Sequence, residues 1–280
     1  MEKPKKRHVP RSTDAPRPGE IARSKGRALS SYRVGAVPII NRLLERMRLE
    51  EFLRLYLPSA DRRCRIAPTI GIILLLKNML LCREPLYGIG EWAARYAPEV
   101  LGFIDTQLPS LNDDRVGRCL DRLFQSDITS MVLALVTHVV REFQVDLDEL
   151  HNDSTTITFH GAYADATKEQ ERGKHTRMAI TWGYNKDHRP DLKQLLYILT
   201  VAKDGAVPLY FQVASGNVAD DQTHRATWDL LCRLTGRRDF LYVADCKLAS
   251  TENMAYIHQH QGRFLRSELG GARPWFSRPS

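Results

Sequence analysis

The stretch Leu147–Gly161, with the sequence LDELHNDSTTITFHG, constrains the fold of this chain more than any other part. Its middle alternates between two sets of side chains: Thr155, Ile157 and Phe159, and Thr156, Thr158 and His160. A period of two in residues of these types predicts a half-buried β-strand. Asp153 lies within this strand, where an ionised carboxylate needs a cation or hydrogen-bond donors. Two interpretations stay open at this point: a cap on a turn, or a metal ligand on a rigid sheet.

The residues before this strand show helical periodicity. The apolar spacing predicts helices over 38–57, 69–82 and 86–96, and two more that begin after Asn112 and Asp127, the latter running to about Phe143. Both polar residues are good helix N-caps, and Asp113 and Asp114 suit the first turn of a helix. Residues 34–145 are therefore predicted to form a helical domain. Two helices joined by a short turn leave a helix-turn-helix and plain packing as alternatives.

The residues after Asp153 change period again. Residues 162–191 are polar and are predicted to be loops. Strands are predicted over 192–202 and 208–214, joined by a hairpin turn at Lys203-Asp204-Gly205, then a helix over 222–235. A short apolar run, Phe240–Ala244, predicts a buried strand directly before Asp245, and a helix capped by Ser250 or Thr251 and a strand over 263–266 follow. This is the strand order of an α/β ribonuclease H-like core. Its first and fourth strands are neighbours, so Asp153 and Asp245 are expected to face one cleft.

Composition limits the surroundings of such a core. Residues 1–33 hold ten Lys or Arg and three acids, which accounts for seven of the eight net positive charges. This segment is predicted to be a disordered basic tail, either a contact for DNA phosphates or a solubilising terminus. Five scattered cysteines without a CxxC pair fit a reducing compartment. No secretory signal or membrane span is predicted, and Trp182 and Trp228 are expected in the core.

Four segments resemble DDE transposases of bacterial insertion sequences, most closely the IS-1634 group. They read LNDDRVGRCLDRLF, HNDSTTITFHGAY, GYNKDHRPDLKQLLYILTVAKDGAVPLYFQVASGN and FLYVADCKLASTENMAYI. The resemblance covers roughly residues 34–266. It implies a retroviral-integrase-like fold over residues 146–280, preceded by the all-α domain, and a protein that works in the bacterial cytoplasm at the nucleoid.

The resemblance also implies a site. Asp153 matches the first catalytic aspartate of the family and Asp245 the second, and together they would bind Mg²⁺, with Mn²⁺ as a substitute. The third ligand is a downstream Glu that this chain does not match, since only Glu268 is an acid near its end. The core is therefore expected to be incomplete at the C-terminus, and the chain to be the front part of a transposase.

The implied partners are the DNA at insertion-sequence ends and target DNA, bound by a homodimer. Five residues are weaker candidates for DNA contacts: Lys186, His188, Arg189, Lys193 and Lys247. Solvated surface residues are the alternative for each, and His151 and His160 are expected to be packing or polar-face residues rather than ligands. Three functions stay open: a transposase that is inactive without its third carboxylate, a truncated DNA-binding repressor of transposition, and a stand-alone metal nuclease.

Overall fold

The computed structural model describes residues 31–58, 64–172, 175–183, 189–218, 223–245, 248 and 250–266, without the side chains of residues 105, 106 and 172. Of the predicted basic tail, residues 1–30 lie outside the described residues. So do the candidate third acid, Glu268, and the loop residues Lys186, His188 and Lys247.

The first predicted helix, 38–57, is wrong as a single element. Helix α1 covers Val37–Arg46 and helix α2 covers Leu49–Tyr56. Between them Arg48 adopts φ 53°, the left-handed region that interrupts a right-handed helix. Because of this break, the two helices pack against different elements. Val37 of α1 is buried in a cluster with Trp92, whereas α2 packs against a later helix, α7 (Ile128–Phe143).

The helical segment continues with elements close to those predicted. Helix α3 covers Pro68–Leu81, α4 Ile89–Ala93, α5 Pro98–Leu101 and α6 Asp113–Gln125. The predicted helix over 86–96 is shorter than expected, a 3-10 turn at Leu86–Gly88 followed by α4. Both predicted caps are confirmed, since the amide of Arg115 donates to Asn112 Oδ1 and the amide of Ser130 donates to Asp127 Oδ1, each at 3.0 Å.

A five-stranded mixed sheet forms the second half of the chain. Its strands are β1 (Glu149–Phe159), β4 (Lys193–Ala202), β5 (Pro208–Ser215), β6 (Leu241–Ala244) and β7 (Arg263–Arg266), in the order β5-β4-β1-β6-β7. Strand β4 is antiparallel to both β1 and β5, whereas β6 and β7 run parallel to β1. The predicted adjacency of the first and fourth strands of this sheet, β1 and β6, is confirmed.

Residues 162–191 contain more structure than predicted. A two-stranded antiparallel sheet pairs β2 (Gln170–Arg172) with β3 (His175–Arg177). Both strands carry mostly polar side chains, so the alternation of apolar residues that predicts a strand is absent from them. Trp182, predicted to be in the core, is 54% exposed, whereas Trp228 is 1% exposed as expected.

The two faces of the five-stranded sheet differ. Helices α7, α8 (His224–Thr235) and α9 (Thr251–Gln259) pack on the face that carries Leu150, Ala202 and Tyr242. The opposite face carries Asp153, and its apolar side chains are exposed or half-buried: Ile157, Leu195, Tyr197, Leu199, Phe211, Val213, Val243 and Leu265. We call it the open face; among the residues of the described strands that line it, only Lys193 and Ser215 are buried.

The chain divides into two compact units that are interleaved in sequence. Among the described residues, one unit comprises 31–42 and 64–119, and the other comprises 43–58 and 120–266. The second unit thus includes α2 and α7 as well as the sheet. The predicted boundary near residue 145 concerns a continuous division of the chain and stays a prediction.

Within the residues that the structure describes, no single helix is long and apolar enough to cross a membrane. Helices α6 and α7, which meet at 88°, satisfy such a test only when they are taken together.

Candidate carboxylate site on the central strand

Asp153 and Asp245 are neighbours on two adjacent parallel strands. The register between β1 and β6 runs from Glu149 opposite Leu241 to Asn152 opposite Ala244. Each aspartate is the next residue after this last pair, and neighbouring strands lie about 4.8 Å apart. Opposite residues of a parallel pair point to the same face, so the two carboxylates belong to the open face. The structure therefore brings together two acids that are remote in sequence.

The two aspartates differ in their backbone setting. Asp245 directly follows the end of β6, whereas β1 continues for six residues beyond Asp153 and pairs with β4 there. Asp153 thus lies within its strand and Asp245 directly follows one, as the sequence pattern predicts. Asp153 is exposed, Asp245 is half-buried, and Asp153 Oδ1 accepts a 2.7 Å bond from the amide of Ser154.

An ion-pair cluster lies on the same face of β1, toward its N-terminal end. Glu149 accepts from Lys203 Nζ at 2.9 Å, and His151 Nε2 lies 2.9 Å from the other carboxylate oxygen of Glu149. The hydrogen bond from Lys203 holds the pKa of Glu149 below its ordinary value, with His151 adding to the effect. His151 is therefore a polar-face residue, as expected, and its ring contacts Glu149.

Behind Asp153, toward the helices, the sheet is polar as well. Asn152 and Thr200 face each other across the β1–β4 ladder, and they are 4% and 0% exposed. Thr200 Oγ1 donates to Asn152 Oδ1 at 2.8 Å. This bond joins β1 to β4 at the residue that directly precedes Asp153, and Asn152 also occupies the last β1–β6 pair.

A second buried pair supports the strand that carries Asp245. Tyr242 of β6 is fully buried, and its hydroxyl is hydrogen bonded to His224 Nδ1 of α8 at 3.1 Å. Burial raises the pKa of Tyr242 above its ordinary value, and the negative charge of Asp245 raises it further. The phenol is therefore neutral at physiological pH, and it ties β6 to the helix layer.

The candidate DNA-contact residues that the structure describes lie elsewhere. Arg189 is exposed and paired with Asp191 through contacts of 2.8 and 2.7 Å. Lys193 is 8% exposed; its ammonium donates to the carbonyls of Ala162 and Tyr163 and lies 5.0 Å from the ring of Trp182. Lys193 faces Phe159, six residues along β1 from Asp153 and thus about 20 Å away. Its contacts hold loops together.

Two adjacent carboxylates fit one requirement of a magnesium site. Mg²⁺ is usually held in proteins by one or two carboxylates, with water and substrate phosphates completing an octahedron. Asp153 and Asp245 can supply those two hard oxygen donors. The part of the chain that the structure describes contains no group of three or more His, Cys, Asp and Glu side chains placed to hold a metal ion. A third protein ligand is thus not found among these residues.

The buried polar pairs beside the aspartates are the features that sequence reasoning missed. Asn152 and Thr200 sit at positions of strand periodicity, and that periodicity assigns a face without naming a partner. One sequence signal could have found this pair. Asn152 is an amide within a strand rich in Thr and Ile, directly before a candidate ligand, and a buried amide needs a hydrogen-bond partner.

Residues 29–137 match a family model described as a domain of unknown function, DUF4277. No curated protein matches the sequence. Among solved structures, the Mos1 transposase paired-end complex with left transposon end is similar at 11% identity, over 84% of this chain and 68% of that chain, with a TM-score of 0.28. A pre-cleavage Mos1 transpososome gives 11% identity over 85% and 69% of the two chains, with the same TM-score of 0.28. Similarity at this level is too low to identify a shared fold.

Proposed function

We propose that this chain acts in DNA transposition, as a DDE transposase, with a ribonuclease H-like core over residues 146–280. The carrying observation is the register of β1 and β6, which makes Asp153 and Asp245 neighbours on one face. Two further facts support the proposal. The order β5-β4-β1-β6-β7, with β6 and β7 parallel to β1, is the one expected for that core, and four long motifs resemble the family.

The proposed chemistry is the cutting and joining of DNA strands. Mg²⁺ or Mn²⁺, when bound, would stabilise charge on the attacking and leaving oxygens of a phosphoryl displacement. Asp153 and Asp245 are the residues we propose as its ligands. The buried Asn152–Thr200 bond joins β1 to β4, and the buried Tyr242–His224 bond joins β6 to α8, so each strand associated with a carboxylate is tied to a neighbouring element. The proposed partners are insertion-sequence ends and target DNA, bound by two copies of the chain.

A second function is favoured by the ligand count. The described residues offer two adjacent carboxylates and no third. A chain with such a site can bind DNA while cutting it poorly, which is the behaviour of a repressor that occupies element ends. The predicted nuclease alternative needs Glu268, which lies outside the described residues.

A strand-cleavage assay separates these functions. The substrate is a labelled duplex copied from the DNA that flanks the coding sequence, with Mg²⁺ or Mn²⁺ present. For this chain we expect duplex binding with little or no cleavage, because the described residues offer two carboxylates and no group of three. Robust turnover would contradict this expectation and would favour the transposase over the repressor.

The matched variants are Asp153→Asn and Asp245→Asn, made also in a version extended through the downstream reading frames. Each removes one charge and keeps the side-chain shape, so cleavage by the extended protein should fall at least a hundredfold for both. Cleavage that survives either substitution would remove that residue from the site. The control is Asp165→Asn, an exposed acid in a loop away from the β1–β6 pair, which should leave cleavage unchanged.

A further inference from the structure

A cleft lies at the C-terminal end of α8, beside the start of β6. Its volume is about 310 Å³. We call it the arginine cleft, and these residues line it: Trp228, Asp229, Cys232, Arg233, Gly236, Arg237 and Arg238. The lining holds three arginines and one aspartate, and two further acids, Asp148 and Asp239, pair with Arg237, so the uncompensated positive charge comes from Arg233 and Arg238. The lining residue Arg238 precedes the first residue of β6 in sequence, whereas Asp245 directly follows the last. The arginine cleft and the carboxylates therefore lie at opposite ends of that strand.

The three arginines differ in how they are held. Arg237 is fixed, since it donates to Asp148 Oδ1 at 2.6 Å and to both carboxylate oxygens of Asp239 at 2.6 and 3.0 Å. Arg233 and Arg238 are exposed, and neither side chain has a hydrogen-bond or ion-pair partner among the described residues. Two guanidinium groups with all their donors available therefore flank a third that is rigid.

The acidic and thiol groups of the lining leave this charge in place. Both carboxylate oxygens of Asp229 accept from Tyr256 Oη, at 3.1 and 2.9 Å, so part of its hydrogen-bonding capacity is used. Burial raises the pKa of Cys232 to about 11 despite the charges of Arg238 and Arg233, so its thiol is neutral at physiological pH. Trp228, 1% exposed, has an indole N–H without an acceptor among the described residues. The cleft is thus rich in donors.

Arg233 lies in the last turn of α8, where the helix dipole favours a positive charge, whereas Arg238 follows the helix. Gly236 already closes α8 in the left-handed conformation with φ 69°, and its amide donates to the carbonyl of Cys232 at 3.0 Å. The planar donors of arginine match phosphate oxygens in pairs, and a phosphodiester is the anion that a DNA-handling chain meets most often.

We propose that the arginine cleft binds the phosphodiester backbone of duplex DNA through Arg233 and Arg238, as a contact separate from the carboxylate pair. This inference rests on the proposed partner, DNA, and not on cleavage. Because such contacts read charge and not sequence, they anchor the duplex at the opposite end of β6 from the cutting site.

The test measures the affinity of the full chain for duplex DNA in the presence of EDTA. Fluorescence anisotropy gives the binding constant at salt concentrations between 50 and 200 mM. EDTA separates this contact from metal-dependent cleavage, so failure of the cleavage assay leaves the result intact. For Arg233→Ala/Arg238→Ala we expect the slope of log K against log salt to fall by about 2, as for two lost phosphate contacts. The affinity deficit against the parent should shrink by roughly tenfold from 50 to 200 mM salt.

Two variants keep the test specific. Arg141→Ala/Lys168→Ala removes two exposed cations outside the cleft, which also lack side-chain partners among the described residues, and should leave the slope near that of the parent. Arg233→Lys/Arg238→Lys keeps both charges and should retain most of the slope. Equal losses in the cleft and control variants, or no loss in the cleft variant when circular dichroism shows it folded, would overturn the proposal.

Discussion

At the scale of single residues, the site depends on polar groups that never reach solvent. Asn152 and Thr200 share one hydrogen bond between β1 and β4, and their side chains are almost completely buried. A buried acceptor that loses its donor costs more than the bond itself contributes, because it has also given up water. The position of Asp153 is therefore sensitive to a hydroxyl group on a neighbouring strand.

Thr200→Val tests this point with almost no change in shape. It leaves Asn152 Oδ1 buried without its donor, so we expect the free energy of unfolding to fall by about 1–3 kcal/mol. Asn152→Leu alone should also destabilise, whereas the double variant should recover much of the loss, since both polar partners are then gone. Urea denaturation of the four proteins gives the coupling energy. Simple additivity of the two single changes would show that the bond contributes nothing.

The sequence predicts the aspartate pair but not the residues that hold it. Asp153 lies within one strand pattern and Asp245 directly follows another, and the order of strands is enough to bring those patterns together. The bond between Asn152 and Thr200 depends on register, which a shift of one residue would abolish, and no local pattern sets that register to the residue. Lys193, a candidate for a DNA contact because it follows a basic loop, is buried, and its ammonium lies against the ring of Trp182.

At the scale of elements, the helix caps are the features that local sequence determines best. Asp127 accepts from the amide of Ser130 at the first turn of α7, and Ser250 Oγ accepts from the amide of Asn253 at the first turn of α9, at 3.1 Å. Each cap satisfies a donor that the helix itself leaves open, so a short side chain with an oxygen is chosen for a local reason.

The cap of α7 should make stability depend on pH. Bonds from the Ser130 amide hold the pKa of Asp127 below its ordinary value. Its contribution is therefore present above the pKa of the unfolded chain and is lost as pH falls through the folded pKa. The melting temperature of Asp127→Ala should lie below that of the parent at about pH 6, and the gap should narrow toward about pH 3. Asp127→Asn, which keeps an acceptor but no charge, should show a gap to Asp127→Ala that does not change with pH.

Two elements escaped prediction because their cause is not local. The apolar spacing of residues 38–57 continues through Met47 and Arg48, yet the backbone turns at Arg48 so that α1 and α2 reach different cores. The β2–β3 pair carries polar side chains on both strands, and the period-two signal is absent there. Tertiary packing determines the break between α1 and α2, and strand pairing determines the β2–β3 sheet.

At the scale of the whole molecule, the sheet depends on a helix that precedes it in sequence. Helix α7 contributes Val136 to the buried cluster of the sheet, and Val132, Val140 and Phe143 pack against that cluster. Burying side chains of this kind is worth about 1.5–3 kcal/mol each when complete. Their sum is comparable with the whole stability of a domain, which is about 5–15 kcal/mol.

Fragments cut on either side of α7 test this dependence. A fragment of residues 146–280 lacks those four side chains, so we expect it to unfold without a cooperative transition and to bind an apolar dye strongly. A fragment of residues 120–280 keeps α7 and should show a sharper thermal transition with less dye binding. Matching transitions in the two fragments would support the predicted boundary near residue 145 instead. Sequence periodicity alone could not decide between these, because it does not say which core a helix joins.

The open face of the sheet surrounds the carboxylates with apolar side chains. Around Asp153 lie Ile157, Tyr197, Leu199 and Phe211, whose rings and aliphatic groups present apolar surface to water. A molecule that settles on this surface frees hydration water, whereas one that settles against Arg233 and Arg238 frees small ions. Apolar binding on the open face should therefore gain affinity on mild warming, whereas phosphate binding by Arg233 and Arg238 should lose affinity as the salt concentration rises. The two surfaces would thus respond differently to temperature and to salt.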